Sequence, residues 1–216
     1  MAKQPIIIIG GGGHCRDLLW LLKDLDIFEV LGIVDDRLPV GALVGDVAVV
    51  GGNADLRHYQ NAAAVVAIGN SRRRKLVFEL VKTEFPSLEF PTFIHPTAKI
   101  APNVSIGNGT VICAGCILSS NVVVGSHCIA NLGAIIGHDV ELGDFCSVGP
   151  GAVIAGGVKV GNGCELGANA TIRGGISMGH GSMAALGAVV MNDVAAQGLV
   201  IGNPARPIRE LDDFPE

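Results

Sequence analysis

Residues 118–148 read LSSNVVVGSHCIANLGAIIGHDVELGDFCSV and repeat one pattern every six residues. An apolar residue opens each hexad, and a small or β-branched residue stands four positions after it, as Leu118 and Val122 illustrate. The pattern extends in both directions without an inserted loop. The apolar positions are Ile100, Ile106, Ile112, Leu118, Val124, Ala130, Ile136, Leu142, Val148, Ile154, Val160, Leu166, Ile172, Met178, Ala184 and Val190.

A six-residue period matches neither the 3.6-residue repeat of a helix nor the two-residue repeat of a simple strand. It is typical of short strands separated by turns, three of which close a triangular coil. The apolar set would point into this prism and stack on the next coil at the usual strand spacing of about 4.8 Å. The second set would occupy the crowded corners, where only a small side chain fits. The sequence therefore predicts a parallel β-helix of five coils over residues 100–190.

The composition excludes a membrane protein. Hydrophobic residues make up 49% of the 216 residues, mean hydropathy is +0.50, and no charged residue occurs between Ile100 and His138. A membrane-spanning helix needs about 20 predominantly apolar residues, but asparagine, serine and glycine interrupt this stretch at short intervals. The apolar run after Lys3 is too short for a signal peptide. We therefore expect no membrane span and a cytoplasmic location.

Charge and cysteine spacing exclude two further classes of site. The net charge is −5 and the only basic run is Arg72–Arg74, which argues against a nucleic-acid partner. The six cysteines lack the spacing of paired zinc ligands, and most of them fall at the corner phase of the repeat. We expect reduced cysteines that act as small buried hydrophobes, and no metal site.

Residues 5–92 follow a different pattern, which predicts a small Rossmann-like parallel sheet with helices on its faces. Pro5–Ile9 is a continuous apolar run typical of a buried parallel strand, and four glycines follow it. Further along the chain the sequence predicts a helix over 17–25, a strand over 30–34, a strand over 63–68 and a helix over 72–82.

Ligands of such sheets lie at the carboxyl ends of the strands. Glycine lets the backbone approach a pyrophosphate, and a helix N-terminus donates amide hydrogen bonds to it. A carboxylate after the second strand can accept a hydrogen bond from a base or a sugar. The glycine spacing is not the full dinucleotide fingerprint, so a purely structural turn is the alternative interpretation. The residues predicted to converge are Gly12, Gly13, His14, Asp35, Asp36 and Gly69.

Three histidines of the repeat, His127, His138 and His180, lie outside both inward sets, and we expect all three to be exposed. His138 is the candidate catalytic residue because Asp139 follows it directly. Histidine is a suitable general base for an amine or hydroxyl that attacks a thioester, and a neighbouring carboxylate increases its basicity and fixes its tautomer. The alternative interpretation is an ordinary exposed turn.

Six motifs, taken together and in this order, resemble a bacterial sugar O-/N-acetyltransferase family. That family includes the UDP-4-amino-sugar N-acetyltransferases of the bacillosamine pathway and the sialic-acid O-acetyltransferases. The resemblance covers nearly the whole chain. The motifs are Ile8–His14, Ile33–Asp36, Ala67–Asn70, Phe93–Ala98, Ala134–Asp139 and Gly202–Arg206.

The resemblance implies an architecture and an assembly. It makes the solenoid left-handed, which the six-residue period alone does not determine. It implies a nucleotide-sugar-binding domain over 1–92, an acetyltransferase domain over 93–193 and a C-terminal tail over 194–216. It also implies a homotrimer, with acetyl-CoA in the groove between neighbouring prisms. A closed ring of three copies would create three equivalent clefts, which a single prism does not offer.

The resemblance also implies residue roles. His138 looks like the general base of the family, and Asp139 takes the place of an acidic neighbour that is glutamate in some members. Gly12, Gly13 and His14 resemble the phosphate loop, Asp35 and Asp36 the uridine-side contacts, and Gly69 a further backbone contact. Ser147 stands where relatives often have a histidine that touches acetyl-CoA. The backbones of Gly156, Ala168 and Gly187 would line the same cofactor groove.

The implied function is acetyl-CoA-dependent N-acetylation of a nucleotide-activated amino sugar in glycan or polysaccharide biosynthesis. The sugar amine would attack directly, without a covalent acetyl-enzyme, because the corner phase of Cys128 and Cys146 predicts burial that disfavours a thiolate. Two alternatives stay open: O-acetylation of a sugar such as sialic acid, and a non-catalytic scaffold that binds a nucleotide-sugar. We expect Arg72–Arg74 to form a solvated helix start, from which Arg74 could reach a phosphate.

Overall fold

A computed structural model describes residues 2–215, and its N-terminal part is a five-stranded α/β sheet. The strand order is β3-β4-β2-β1-β5, with β3 antiparallel to β4 and the other pairs parallel. The four isoleucines that end β1 are fully buried between helices, as the unbroken apolar run predicted. The elements are β1 (Gln4–Ile9), α1 (Gly13–Leu25), β2 (Phe28–Val34), β3 (Leu43–Val44), β4 (Val47–Gly51), a 3-10 helix (Asn53–His58), β5 (Ala63–Val66) and α2 (Ser71–Glu84).

The second part of the chain is a parallel β-helix of two-residue strands, as the six-residue period predicted, and it is left-handed, as the resemblance implied. The strands are β6 (Phe93–Ile94), β7 (Lys99–Ile100), β8 (Ser105–Ile106), β9 (Val111–Ile112), β10 (Ile117–Leu118), β11 (Val123–Val124), β12 (Ile129–Ala130), β13 (Ile135–Ile136), β14 (Glu141–Leu142), β15 (Ser147–Val148), β16 (Val153–Ile154), β17 (Lys159–Val160), β18 (Glu165–Leu166), β19 (Thr171–Ile172), β20 (Ser177–Met178), β21 (Met183–Ala184) and β22 (Val189–Val190).

Three parallel sheets form the faces of this prism. The first face contains β6, β9, β12, β15, β18 and β21, the second contains β7, β10, β13, β16, β19 and β22, and the third contains β8, β11, β14, β17 and β20. Strand partners are one coil apart, so Ile136 pairs with Ile154 and Val148 with Leu166. The inward and corner residues are buried along the prism, except near its N-terminal end, where Ile100 and Ile106 are half-buried. No complete coil covers these two side chains from below.

The segment after the prism continues the first face. β23 (Gly198–Gly202) pairs in parallel with β21, and β24 (Ala205–Glu210) returns antiparallel to it. Farther on, Phe214 is buried against Gly163, where an added methyl group would lie 2.1 Å from the phenyl ring. None of the helices among residues 2–215 carries an apolar stretch long enough to cross a bilayer.

The N-terminal sheet docks on the first face and on the edge between the third and first faces. At one end of this joint, His95 Nε2 lies 3.0 Å from Asp24 Oδ2 and Trp20 packs edge-on against the same imidazole. Phe28 packs against Phe93 near the same end. These contacts give His95 a structural role at the joint.

At the other end of the joint, side chains of helix α2 donate hydrogen bonds to a row of backbone carbonyls on the prism. Arg74 donates from Nε to the His127 carbonyl at 2.8 Å and from Nη2 to the Phe145 carbonyl at 2.8 Å. Ser71 Oγ donates to the Gly163 carbonyl at 2.9 Å, and Arg72 donates to the Gly181 carbonyl at 3.0 Å. These four carbonyls belong to residues spaced eighteen apart. Helix α2 therefore contacts the same corner of four successive coils.

Two expectations about this region were wrong. Arg74 is 1% exposed rather than part of a solvated helix start, and burial lowers its pKa to about 10, so it stays charged at neutral pH. His127 is also buried, between the rings of Phe78, Phe90 and Phe145, and burial lowers its pKa to about 4. The repeat pattern identifies the side chains that point into the prism. It does not indicate which outer corner of the prism is covered by the N-terminal domain.

Candidate functional site

His138 and Asp139 occupy a turn on the edge between the second and third faces. Asp139 adopts the left-handed backbone conformation, with φ of 57°, and its amide donates to the Ser120 carbonyl at 2.9 Å. This turn directs both side chains outward. His138 Nδ1 lies 2.8 Å from Asp139 Oδ2, and 68% of the imidazole side chain is exposed. The expected exposure of His138 and its pairing with Asp139 are both observed.

The Asp139 carboxylate is held in its ionised form. Asn121 Nδ2 donates to Asp139 Oδ1 at 2.8 Å, and this hydrogen bond, followed by the one with His138, lowers the pKa of Asp139. An ionised carboxylate only accepts hydrogen bonds, so Nδ1 of His138 carries the proton that it donates. The lone pair of the neutral ring is then on Nε2. This is the arrangement that a general base requires.

The imidazole packs directly over Gly156 of the next coil. A methyl group at position 156 would lie 2.4 Å from both Nε2 and Cε1 of His138. Only glycine leaves room for the ring in this orientation. The resemblance predicted that Gly156 lines a cofactor groove. The structure shows a second reason for glycine at this position, which is the space that the His138 ring needs.

We expect Gly156→Ala to lower kcat by about 10–10²-fold, since even a displacement of about 1 Å at a reacting group is that costly. The methyl group would push the ring away from Asp139, while the backbone of Gly156 needs no left-handed conformation. Steady-state kinetics together with the Tm would test this expectation. The double variant His138→Ala/Gly156→Ala serves as control and should be no less active than His138→Ala alone. A further loss in the double variant would show that the methyl group acts elsewhere.

The glycine loop after β1 is open to solvent at the start of α1. Gly12 and Gly13 are exposed, and a methyl group added to either would contact nothing within 4 Å. The first amides of a helix lack intrahelical partners, and α1 begins at Gly13, earlier than predicted. The loop therefore offers backbone donors to an anion, as the sequence analysis expected of a pyrophosphate site.

Asp35 and Asp36 shape the crevice at the end of β2. Asp35 accepts from the amides of Gly11 at 2.8 Å and Arg37 at 2.9 Å. Burial raises the pKa of Asp35, but the hydrogen bonds from these amides outweigh that effect, and the net result is a lowered pKa. Asp36 accepts from the Asn53 amide at 2.8 Å and from Asn53 Nδ2 at 2.7 Å. Each carboxylate thus ties the end of β2 to another loop of the same domain.

The crevice beside these carboxylates has a volume of about 180 Å³. Its lining adds Arg37, Asn53 and Arg73, which the sequence analysis did not select. Arg37 directly follows the Asp35–Asp36 pair, so its position after β2 could have identified it as a residue of the crevice. Asn53 and Arg73 come from other elements, and only the folded sheet brings them to this edge.

A second cavity of about 180 Å³ lies between the start of α1 and the first face of the prism. Its lining includes His14, Gly69, Asn131, Ser147 and Glu165. The His14 side chain is 6% exposed, and within residues 2–215 neither of its ring nitrogens has a hydrogen-bond partner. An unpartnered buried imidazole is costly, so the cavity presents a donor and an acceptor for a ligand.

Ser147 is part of the joint between the two domains. Its Oγ donates to the Gly69 carbonyl at 2.7 Å and accepts from Arg74 Nη2 at 2.9 Å. Ser147 also borders the cavity that contains His14. The structure therefore brings together Ser147, Gly69 and His14, which the sequence analysis had assigned to different ligands.

The predicted site residues lie on different sides of one prism. Ala168 and Gly187 share the edge between the first and second faces, where the Gly187 amide donates to the Ala168 carbonyl at 2.9 Å. Gly156 and His138 lie on the edge between the second and third faces, which is opposite the first face and its docked sheet. A single chain therefore does not bring the imidazole to the crevice beside Asp35 and Asp36.

The cysteines offer no nucleophile to this site. All six are unpaired and buried. Hydrogen bonds with the neighbouring Cys128 and Cys164 thiols, together with burial, raise the pKa of Cys146 well above the usual value. Within residues 2–215, no three His, Cys, Asp or Glu side chains come together as a group that could hold a metal ion.

Two family models match the chain. The PglD N-terminal domain matches residues 5–81, and the bacterial transferase hexapeptide (six repeats) matches residues 139–174. The first model covers the sheet with the glycine loop, and the second covers coils that include Asp139 and Gly156. A comparison with the curated proteins finds no match.

Solved structures match the whole architecture. A histidine-to-asparagine variant of perosamine N-acetyltransferase from Caulobacter crescentus, in complex with CoA and GDP-perosamine, is 32% identical, with 97% of this chain and 99% of that chain covered and a TM-score of 0.89. The acetyltransferase domain of PglB from Neisseria gonorrhoeae, in complex with acetyl coenzyme A, is 30% identical, with 96% and 100% covered and a TM-score of 0.88. WeeI from Acinetobacter baumannii, at 24% identity over 95% and 100% with a TM-score of 0.84, shares the fold.

Proposed function

The chain belongs to the hexapeptide-repeat sugar acetyltransferases, and we propose that its reaction takes place where the His138 edge of one copy meets the docked sheet of another. The enzyme transfers the acetyl group of acetyl-CoA to the amino group of a nucleotide-activated amino sugar. The observation that carries the proposal is the hydrogen bond between His138 Nδ1 and Asp139, which leaves the lone pair of the neutral ring on Nε2, on an exposed edge.

The proposed chemistry is a direct transfer. The amine nitrogen of the sugar attacks the thioester carbonyl carbon, a C–N bond forms, and the C–S bond breaks. Nε2 of His138 takes the proton that the attacking nitrogen loses, and Asp139 stabilises the resulting imidazolium. The imidazolium then gives this proton to the departing thiolate of CoA. The products are an N-acetylated sugar and free CoA, and the imidazole returns to its starting form.

We assign the nucleotide-sugar to the N-terminal domain over 1–92. The exposed amides of Gly12 and Gly13 suit the diphosphate, since a helix N-terminus favours anions. The crevice beside Asp35 and Asp36 suits the nucleoside. His14 can donate to a phosphate or sugar oxygen from the cavity between the domains, with the backbone of Gly69 beside it. In this proposal, Asp35 and Asp36 act mainly by shaping the crevice, since both already accept hydrogen bonds from neighbouring loops.

The assembly that we propose is a homotrimer of prisms over 93–193. Ile117 and Ile135 point outward from the second face and are 44% and 39% exposed in a single chain. An apolar stripe of this kind favours contact with another copy. Three copies in a closed ring would bury three such stripes and create three equivalent clefts. Acetyl-CoA would lie in each cleft, between the Gly156 edge of one copy and the Ala168–Gly187 edge of its neighbour.

The cytoplasm is the location that we propose for the reaction. Acetyl-CoA is a cytoplasmic co-substrate, and six buried cysteines without a disulfide suit a reducing compartment.

An assay with a panel of acceptors tests the proposed function. UDP- and GDP-linked sugars with an amino group should be acetylated in the presence of acetyl-CoA, while matched sugars with a hydroxyl group in its place should not. Transfer to the hydroxyl sugars instead would favour O-acetylation, as on sialic acid. Calorimetry that detects nucleotide-sugar binding but no acetyl-CoA binding would overturn the proposal in favour of a non-catalytic scaffold.

A further inference from the structure

A column of polar side chains leads to Asp139 along the edge between the second and third faces. Asn103, Asn121 and Asp139 occupy the same position in three successive coils. Asn103 Nδ2 donates to Asn121 Oδ1, and Asn121 Nδ2 donates to Asp139 Oδ1 at 2.8 Å. Asp139 Oδ2 then meets His138 Nδ1 at 2.8 Å. The hydrogen bonds therefore run continuously from the first coils to the imidazole.

The column ends at the catalytic turn. The next two coils have Gly157 and Gly175 at this position, both with positive φ, of 69° and 73°. Asn121 and Asp139 have φ of 60° and 57°. Left-handed backbone is most easily adopted by glycine, and the two coils beyond the turn use it. Asn121 and Asp139 also adopt this conformation, which asparagine and aspartate tolerate better than other non-glycine residues.

We propose that Asn121 is a positioning residue for the acetyl transfer, acting through Asp139 on the tautomer and orientation of His138. The inference rests on the proposed function of His138 as general base. The side chain of Asn121 forms hydrogen bonds with Asn103 and Asp139 and not with the imidazole, so its effect on His138 passes through the carboxylate.

The geometry explains why an amide suits this role. The side chain of Asp139 is 55% exposed, and a carboxylate in that environment is free to rotate. The donor from Asn121 holds one oxygen and leaves the other directed at Nδ1. Asn103 donates to the carbonyl oxygen of Asn121, which fixes the amide so that its NH₂ group faces Asp139. Because an amide carries no charge, it positions the carboxylate without competing for the proton on Nδ1.

Other charged groups near this edge are few. Glu141 on β14 and Lys159 on β17 form an exposed ion pair on the third face, with Lys159 Nζ 3.6 Å from Glu141 Oε1. Toward the next coil the imidazole packs on Gly156, which has no side chain. Among the described residues, Asp139 is the one charged group that forms a hydrogen bond with His138. The orientation of the imidazole therefore depends on that of the Asp139 carboxylate.

The first test compares Asn121→Gly with the parent enzyme. Glycine is the residue that the fold itself uses at this position in two other coils, so the prism should form with an unchanged Tm. Loss of one net hydrogen bond predicts a decrease in kcat of about 3–10-fold, with KM for both substrates unchanged. In the Asp139→Asn background, the same substitution should cause no further loss. Unchanged kcat in Asn121→Gly, or an equal loss in both backgrounds, would overturn the proposal.

The second test measures the titration of the imidazole ring by NMR and does not depend on enzyme activity. Asn121→Asp places a second carboxylate beside Asp139, so the ring proton of His138 should be held more tightly. NMR titration of the ring should show its midpoint moved to higher pH, and the acid limb of the kcat/KM profile should move in the same direction. An unmoved midpoint would contradict the coupling. A moved midpoint in a chain that acetylates no acceptor would contradict the proposed function instead and leave the hydrogen-bonded column intact.

Discussion

Replacing His138 with alanine should lower kcat by about 10²–10⁴-fold, the usual contribution of a positioned general base. The attacking amine would lose its proton acceptor, and no cysteine is available to replace it, because all six are buried. The side chain of His138 is exposed and packs only over Gly156 and beside Asp139, so the variant should keep the Tm of the parent. Steady-state kinetics with an amino-sugar nucleotide, and calorimetry for both substrates, would measure these effects.

His58→Ala provides the matched control for this variant. His58 is exposed at the end of the 3-10 helix, away from the crevice and the prism edge. Its removal should leave kcat, KM and the Tm unchanged. Near-normal turnover in His138→Ala would contradict the role of general base, whatever the control shows. A loss of substrate binding as large as the loss in kcat would point to a binding role instead.

Replacing Arg74 with alanine should lower the free energy of unfolding by at least ~3 kcal/mol, the contribution of one or two hydrogen bonds from a charged group. The buried guanidinium donates to the carbonyls of His127 and Phe145 on the prism, and to those of Ile68 and Gly69 in the segment between β5 and α2. Alanine would leave the carbonyls of His127, Phe145 and Ile68 without this donor and open a void between the domains, while the Gly69 carbonyl would keep the hydrogen bond from Ser147. Arg74→Lys should recover only part of the loss, since an ammonium group lacks the planar fork of five donors.

Arg73→Ala is the control on the same helix. The Arg73 side chain is exposed, and surface substitutions of this kind usually change stability by less than about 0.5 kcal/mol. Urea and thermal unfolding of the two variants would separate a general effect on α2 from the loss of the buried joint. Equal stability of Arg74→Ala and Arg73→Ala would show that the carbonyls find other donors.

Much of the fold was predictable because its determinants are local and periodic. The hexads place an apolar residue inward at each turn from Ile100 to Val190, and the prediction needed no knowledge of distant contacts. The N-terminal sheet was also predictable, although the β3–β4 hairpin was missed and the bounds of α1 and α2 differed. Strand β3 has only two residues, and the apolar run of β4 was not recognised as a strand although it pairs with both β2 and β3.

On the prism, the site was predictable only where neighbours in sequence are neighbours in space. His138 and Asp139 are adjacent, so their pairing could be expected. Asn121 and Asp139 are eighteen residues apart, which is the length of one coil. The repeat places them one above the other, but this spacing was used only for the apolar residues. The burial of Arg74 and the contact of Ser147 with Gly69 depend on how two domains dock, and no periodicity encodes that.

The contact of α2 with four successive coils restricts how this architecture can change in length. Adding or removing a whole coil preserves the inward pattern of a solenoid, so repeat proteins tolerate such changes readily. Between His127 and Gly181, however, one coil more or fewer would change which side chains face α2. His127 and Phe145 pack against Phe78, and Glu165 accepts from the Ser71 amide at 2.7 Å, so these contacts need the present number of coils between them. Growth or shortening by whole coils is therefore compatible with the helix only outside this interval, and α2 fixes the number of coils beside the N-terminal sheet.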